Sequence, residues 1–230
     1  MRTNVFLLFV VLLAIILEVD PAFAQITGST SLLTVPVADM PADGTVTFGI
    51  SYVDKKYSKY LNGRVDYRPL YAAIVFLPFL ELGFRFSRPM GLDDRSRLGD
   101  RMAMARIRIL TEKGRRPALL IGAHDFFTTV DRNYFNALYV VASKHIETVL
   151  PVAVHLGYGT DKMDALAHQF VGVFAGLAVS LFRYTEVIVE YDAERVNVGA
   201  RLTLFSHFQG LVALQGLDTI IAGASVNIRL

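Results

Sequence analysis

The sequence predicts an all-β protein: an antiparallel transmembrane β-barrel of about twelve strands, preceded by a cleaved signal peptide. Three observations lead there. Segments of strict period-2 alternation recur along the chain between turn signals, which is the pattern of half-buried strands. After residue 25 the longest apolar run, Leu70 to Leu80, is broken by Pro78, so no helix of the roughly 20 apolar residues needed to span a bilayer is available. The non-apolar face of the alternating segments is rich in Gly, Ser and Thr with isolated Glu and Arg and little Lys, which suits a crowded wet interior better than a soluble outer surface.

Composition sets the bounds. The chain has 230 residues, is 53% hydrophobic and only 19% charged, and a chain so apolar does not stay disordered. It has no Cys and no Trp, but 16 Phe and 10 Tyr. Disulfides, thiolate metal sites, a Cys nucleophile and an acylated N-terminal Cys are thereby excluded. A formal charge of +2 is too small to point to nucleic acid. We expect no cofactor and no metal.

Residues 1–24 read as an export signal. Arg2 gives a basic start, Val5 to Leu17 is unbroken apolar sequence, and Ala22-Phe23-Ala24 supplies a small-x-small cleavage site before Gln25. The division expected is therefore signal peptide 1–24, an N-terminal periplasmic segment 25–44, and an outer-membrane barrel 45–230.

The expected strands are 45–53, 64–77, 80–87, 102–110, 118–126, 136–144, 152–159, 170–180, 186–192, 195–204, 208–216 and 220–229. Val46, Phe48, Ile50 and Tyr52 in the first, and Val152, Val154, Leu156 and Tyr158 in the seventh, show the alternation at its clearest. Strands 2, 5, 6 and 11 alternate poorly. Connections at 54–63, 88–101, 127–135 and 160–169 are long, and those between them short, as extracellular loops and periplasmic turns would be. An even count returns both ends of the barrel to one side. In the ninth hairpin a two-residue Ala193-Glu194 turn sets Tyr191 opposite Val196, Val189 opposite Val198 and Glu186 opposite Arg201, keeping every pair on one face. Ala224, Val226, Ile228 and Leu230 give the last strand one apolar face, resembling the terminal signal of outer-membrane barrels, with Leu in place of the usual aromatic.

Several fragments carry a resemblance. Gly28-Ser29-Thr30-Ser31-Leu32-Leu33-Thr34-Val35-Pro36-Val37-Ala38 is followed by Asp43-Gly44-Thr45, then Gly99-Asp100-Arg101, Arg106 to Thr111, Pro117 to Gly122 with Asp125, Val140 to Lys144, and Leu156-Gly157-Tyr158-Gly159. In this order and spacing they resemble the YjbH-like family of Gram-negative outer-membrane exopolysaccharide-biosynthesis proteins, over residues 26–160. The resemblance implies an outer-membrane barrel associated with polysaccharide secretion, in the cell outer membrane. Many relatives are longer and some are lipoproteins; this chain has room for one barrel and no Cys to acylate. The family supplies no catalytic residue set to carry over.

The candidate residues are of three kinds. Glu81, Arg85, Arg106, Arg108, His155, Glu186, Glu190 and Arg201 fall on the polar face and are expected to line the lumen, either as a path for an acidic sugar chain or as mutually neutralising charges that plug it. Asp93, Asp94, Arg95, Arg97 and Asp100 form a charged loop that could fold inward as a constriction or stand solvated outside. The five His are dispersed, so a Ser-His-acid set, such as Ser143 or Ser180 with His155, would depend on folding to assemble. His124 and His155 read more simply as hydrogen-bonded interior residues. The segment Gly28–Pro36 would cap or enter the lumen, serve as an edge strand, or pack on its own chain.

The function expected is non-enzymatic assistance to exopolysaccharide biosynthesis or export by a monomer. Its partners would be outer-membrane lipid, exopolysaccharide chains and periplasmic export proteins. Two alternatives are a soluble periplasmic barrel with its apolar face inward around a lipid, and an outer-membrane lipid hydrolase.

Overall fold

The computed structural model describes residues 26–58, 65–91, 99–126, 135–160 and 170–230. The expected signal peptide lies outside them, as do Asp93, Asp94, Arg95 and Arg97. Among the described residues there is no helix, and twelve strands close into one antiparallel barrel. They are β1 Thr45–Tyr52, β2 Tyr67–Leu77, β3 Leu80–Pro89, β4 Asp100–Leu110, β5 Ala118–His124 and β6 Ala137–Ile146. The second half is β7 Val152–Thr160, β8 Gly172–Phe182, β9 Thr185–Tyr191, β10 Val196–Leu204, β11 Phe208–Gln215 and β12 Thr219–Arg229. Each strand pairs with its sequence neighbours, and β12 closes on β1 from Thr45↔Arg229 to Tyr52↔Ala222. Closure leaves no strand edge unpaired.

The barrel has two unlike ends. At the turn end lie the start of β1, the last residue Leu230, and the tight connections after β2, β4, β6, β8 and β10; the Leu230 N–H donates to the Gly44 carbonyl at 3.0 Å and joins the two termini of the sheet. The connections after β1, β3, β5 and β7 lie at the other, loop end. Register shifts at Val75/Leu77, Arg108/Leu110 and Ser180/Phe182 all fall at the turn end, where a bulge bends the strand into its turn.

The β9–β10 hairpin has the register its sequence predicts: Tyr191↔Val196, Val189↔Val198 and Glu186↔Arg201. Ala193 adopts φ 76°, the left-handed conformation that a two-residue hairpin turn requires. The Asp192 Oδ1 offsets that strain by accepting the N–H groups of Glu194 at 3.0 Å and Arg195 at 2.7 Å.

The faces are arranged outside-in. In β1, Thr47 is 3% exposed and points into the barrel, while Phe48 is 48% exposed and points out. The same division runs round the barrel: Leu82, Phe84, Leu156, Val189, Leu202 and Val212 stand on the outer surface. Aromatic side chains gather near both margins of this apolar band, with Phe76, Phe79, Phe182, Tyr184 and Phe205 at the turn end and Tyr158 and Tyr191 at the loop end. The alternative with the apolar face inward is thus reversed: alternate residues must face opposite ways, and the interior has taken the Thr, Ser and charged set.

Poor alternation in β2, β5, β6 and β11 has a structural cause. Their inward positions include Tyr71, Val75, Leu120, Tyr139, Val141, Leu211 and Ala213, all buried. These strands are apolar on both faces because part of the lumen is itself an apolar core. Within it each of three inward glycines faces an aromatic directly across the ladder: Gly49↔Tyr71, Gly122↔Tyr139 and Gly157↔Phe174. Each ring reaches over the glycine, so that a Cβ built on Gly122 would sit 2.2 Å from the Tyr139 ring. Gly122→Ala must push Tyr139 into the packed lumen, and we expect it to lower stability by about 1–3 kcal/mol, measured by urea unfolding in detergent micelles. An unchanged midpoint would show that the ring has room to move.

Candidate functional site

The lumen is filled by the chain's own N-terminal segment. Residues 26–38 are all buried inside the barrel before the chain leaves at the turn end to enter β1. Of the placements the sequence allowed for this stretch, it takes the one inside the lumen, as a plug, because its mixture of leucines and hydroxyl residues matches an interior that is part apolar and part charged. It folds back on itself, with the Leu32 N–H donating to the Val35 carbonyl at 2.9 Å and a bridge between Ser31 and Pro36. Inward glycines receive its side chains: a Cβ on Gly176 would stand 2.1 Å from Leu32 Cδ1, and one on Gly199 would stand 2.8 Å from Leu33 Cδ2. Val35 and Ala38 pack with Leu120, Tyr139, Phe170 and Phe174. Gly28 adopts φ +94°, a conformation L side chains rarely take, and a Cβ there would press on Tyr71 at 3.1 Å and Met104 at 3.2 Å.

The predicted lumenal charges hold this plug by its backbone. Glu190 receives the N–H groups of Leu33 at 3.0 Å, Thr34 at 2.9 Å and Val35 at 3.1 Å, together with the Thr34 hydroxyl at 2.5 Å. Asn197 donates to the same carboxylate at 3.0 Å. Glu81 accepts the Thr30 N–H at 3.1 Å and its hydroxyl at 2.8 Å, and is paired with Arg106. Arg106 donates onward to the carbonyls of Val37 and Asp39, and Arg85 donates to the Thr27 carbonyl at 2.9 Å. Arg201 reaches the carbonyls of Ser31 at 2.8 Å and Leu32 at 2.5 Å while it pairs with Glu186 at 2.9 Å. Carboxylates take the plug's N–H groups and guanidiniums take its carbonyls.

The remaining candidates are placed differently. Arg108 donates to the Pro78 carbonyl across the β2–β3 turn and touches no plug residue by hydrogen bond. His155 Nδ1 lies 2.7 Å from the Ser143 hydroxyl, whose oxygen accepts the Ala38 N–H at 2.7 Å. Ser143 and His155 are brought together, then, as one of the sequence-level pairs allowed, but both are buried beneath the plug, and among the described residues no carboxylate hydrogen-bonds His155. His124 Nε2 lies 2.9 Å from the Ser29 hydroxyl. Asp100 opens β4, half-buried at the loop end, within electrostatic reach of Arg85. Ser29, Thr30, Thr34 and Asn197 were not singled out from sequence; the one signal for the first three was a run of hydroxyl residues before a single proline.

At the turn end the plug leaves through a mouth with a cavity of about 490 Å³ lined by Asp39, Pro41, Pro78, Arg108, Glu112 and His145. His145 bridges there, with Nδ1 2.8 Å from Glu112 and Nε2 3.6 Å from Asp39. Despite some desolvation, the Glu112 carboxyl is held below the usual range by hydrogen bonds from Lys144 and His145. Burial raises the Asp39 carboxyl, against the pull of His145 and Arg106.

At the loop end, just beyond β5, Asp125 is buried and accepts the Phe135 N–H at 3.1 Å. Desolvation lifts its pKa to about 6; the Phe135 N–H and Arg85 oppose the rise and Asp100 adds to it.

Residues 25–180, the plug and nearly all of β1–β8, match the family model described as "Exopolysaccharide biosynthesis protein YbjH". The chain belongs to the YjbH family. No curated protein matches it. Among solved structures, a porin of Rhodopseudomonas blastica, in two triple-mutant forms, aligns over 82% of this YjbH-family chain and 99% of its own at 11% identity, with TM-scores of 0.28 and 0.29. The sequence resemblance over 26–160 thus extends further along the chain than the quoted fragments.

Two expectations follow from this geometry. Glu190→Ala leaves three buried plug N–H groups without their acceptor, each costing about 1–3 kcal/mol. Amide exchange at Leu33, Thr34 and Val35 should then speed up at least roughly tenfold while the β1–β12 ladder keeps its protection; unchanged exchange would mean that Glu190 does not hold the plug. The second concerns pH. The Asp125 carboxyl keeps its proton to about pH 6 when folded, against 3.8 for its ordinary value, so the folded state binds more protons between those limits and loses stability as pH rises through them. The urea unfolding midpoint in detergent micelles should fall from pH 4 to pH 6, and Asp125→Asn, which tolerates the local φ of 50°, should flatten that profile.

Proposed function

We propose that this YjbH-family chain is an outer-membrane barrel, exported by its N-terminal signal and monomeric, which assists exopolysaccharide biosynthesis or export without catalysing a reaction. The observation that carries the membrane reading is the outer face. A closed barrel with Phe, Leu, Val and Ile outward over strands of 7 to 11 residues, and aromatics at both margins, needs hydrocarbon around it, since each large apolar side chain left in water forgoes about 1.5–3 kcal/mol. The turn end then faces the periplasm and the loop end the exterior.

The plug supports one form of that role over another. With residues 26–38 packed in the lumen, a polysaccharide chain has no route through the barrel unless the plug moves. The reading supported best is therefore a gated or organising component, reached by periplasmic partners at the mouth around Asp39 and Glu112, rather than an open pore. Against the enclosed-lipid alternative, the large apolar side chains of the alternating face stand outward, and the apolar part of the lumen is already filled by residues 26–38. The hydrolase alternative rests on Ser143 and His155, whose serine oxygen is already engaged by the Ala38 N–H.

The test is a deletion strain complemented with the wild-type chain. Deletion should reduce or alter secreted polysaccharide and the wild-type chain should restore it, with the restored protein in the outer-membrane fraction showing a mobility shift between unheated and boiled samples. Unchanged polysaccharide in amount and composition would overturn the export role, and a soluble protein without the shift would overturn the membrane placement.

A further inference from the structure

The outer face of the barrel carries a group of charges that neither the plug nor the mouth uses. Arg68 on β2, Arg88 on β3 and Arg101 on β4 are all exposed and all lie at the loop end. Inward neighbours fix their direction: Tyr67, Ser87 and Met102, the adjacent residues, are buried in the lumen. Arg68 stands directly opposite Arg88 in the β2–β3 ladder, and Arg101 stands opposite Phe86, one outward step below Arg88. Residues directly opposite have Cβ atoms roughly 4.5–5.5 Å apart and diagonal neighbours roughly 7–8 Å, so the three arginines rise from one patch, with Arg68 also bordering the outer groove beside Ile50 and Tyr52.

Such an arrangement is unfavourable by itself, because like charges directly opposite repel. Among the described residues none of the three is in an ion pair. Two described carboxylates lie near: Asp66, whose Oδ1 accepts the Lys55 N–H at 2.6 Å, and Asp100, which precedes Arg101 but is half-buried within electrostatic reach of Arg85. The patch also sits at a boundary. Leu70, Leu82 and Phe84 continue the same outward face toward the middle of the barrel and are exposed apolar side chains. Long arginine stems can lie along them while the guanidiniums reach the polar layer. Elsewhere on this rim the outward strand positions include Tyr158, Val173, Tyr191 and Val196, while the loop-end cations Lys56 and Arg195 are paired with Asp218 and Glu194, so the rim's described arginines without an ion pair lie on three adjacent strands.

We propose that Arg68, Arg88 and Arg101 form a binding site for the phosphorylated head group of a lipid in the leaflet at the loop end. Guanidiniums bind phosphate oxygens in pairs, and an anion between Arg68 and Arg88 removes their repulsion. The acyl chains of the same lipid would lie against Leu70, Leu82 and Phe84. The site rests on the membrane reading above. It gives the barrel a fixed lipid neighbour on one side, and with it a preferred orientation among the lipids of its leaflet.

The experiment uses the full chain extracted in mild detergent, with folding of every sample confirmed by the boiled-versus-unheated mobility shift. Native mass spectrometry then counts and titrates bound diphosphoryl lipid A, its fully dephosphorylated form, and inorganic phosphate alone. The wild type should retain the phosphorylated lipid in preference to the dephosphorylated one. Each single Arg→Ala should weaken it about fivefold and the triple variant roughly a hundredfold. Arg183→Ala, at an exposed arginine of the turn end, should leave binding unchanged. Equal binding by the wild type and the folded triple variant, equal binding of the dephosphorylated lipid, or full displacement of the lipid by millimolar inorganic phosphate would each overturn the proposal. Absence of a mobility shift in the wild type would instead reject the membrane reading on which it rests.

Discussion

The structure depends on one requirement: the backbone of residues 26–38, carried into a closed barrel and away from water, must find hydrogen-bond partners there. A buried N–H or carbonyl without one costs a few kcal/mol, and residues 26–38 carry twelve N–H groups and thirteen carbonyls. The lumen answers with fixed charges of both signs. Glu190 and Glu81 collect N–H groups, while Arg106, Arg201 and Arg85 collect carbonyls. Burial of those charges would itself be prohibitive if they were isolated. Plug and wall are therefore each other's reason for being polar where they are.

Shape is settled by a second, apolar device. Aromatic side chains inside a narrow barrel would block the plug if they stood upright. Placed over the glycine opposite, Tyr139 and Phe174 instead form part of the surface on which Val35 and Ala38 rest, and Tyr71 lies against Gly28. Gly176 and Gly199 leave recesses for Leu32 and Leu33. The fit at once explains why four strands are apolar on both faces and why the plug carries leucines within a run of hydroxyl residues.

A plug built in this manner is held at several points along its length, from Thr27 on Arg85 to Asp39 on Arg106. Its exit at the mouth is the least buried part of the path, where Glu112 and His145 meet Asp39. A partner acting on the plug from the turn end would meet these groups first, and the contacts deeper in the lumen would have to give way in turn.

Much of this was legible in the residues. Alternation in β1, β7, β9 and β10 was strict because each has one face toward the outside and one toward a polar wall, and the identity of the polar set, with Glu81, Arg85, Arg106, Glu186, Glu190 and Arg201 among glycines and hydroxyls, told which face was which. The Ala193-Glu194 turn fixed its own register, since a slip by one residue would have turned every side chain over. What those charges do was not legible. Glu190 and Thr34 are 156 residues apart in sequence, and Arg201 and Ser31 are 170 apart. Local pattern reports the face on which a side chain lies, because that follows from the geometry of a single strand. Its partner follows from closure of the sheet and threading of residues 26–38 through it, so the choice between a charged path and a charged cradle was made only when the barrel closed around its own N-terminal segment.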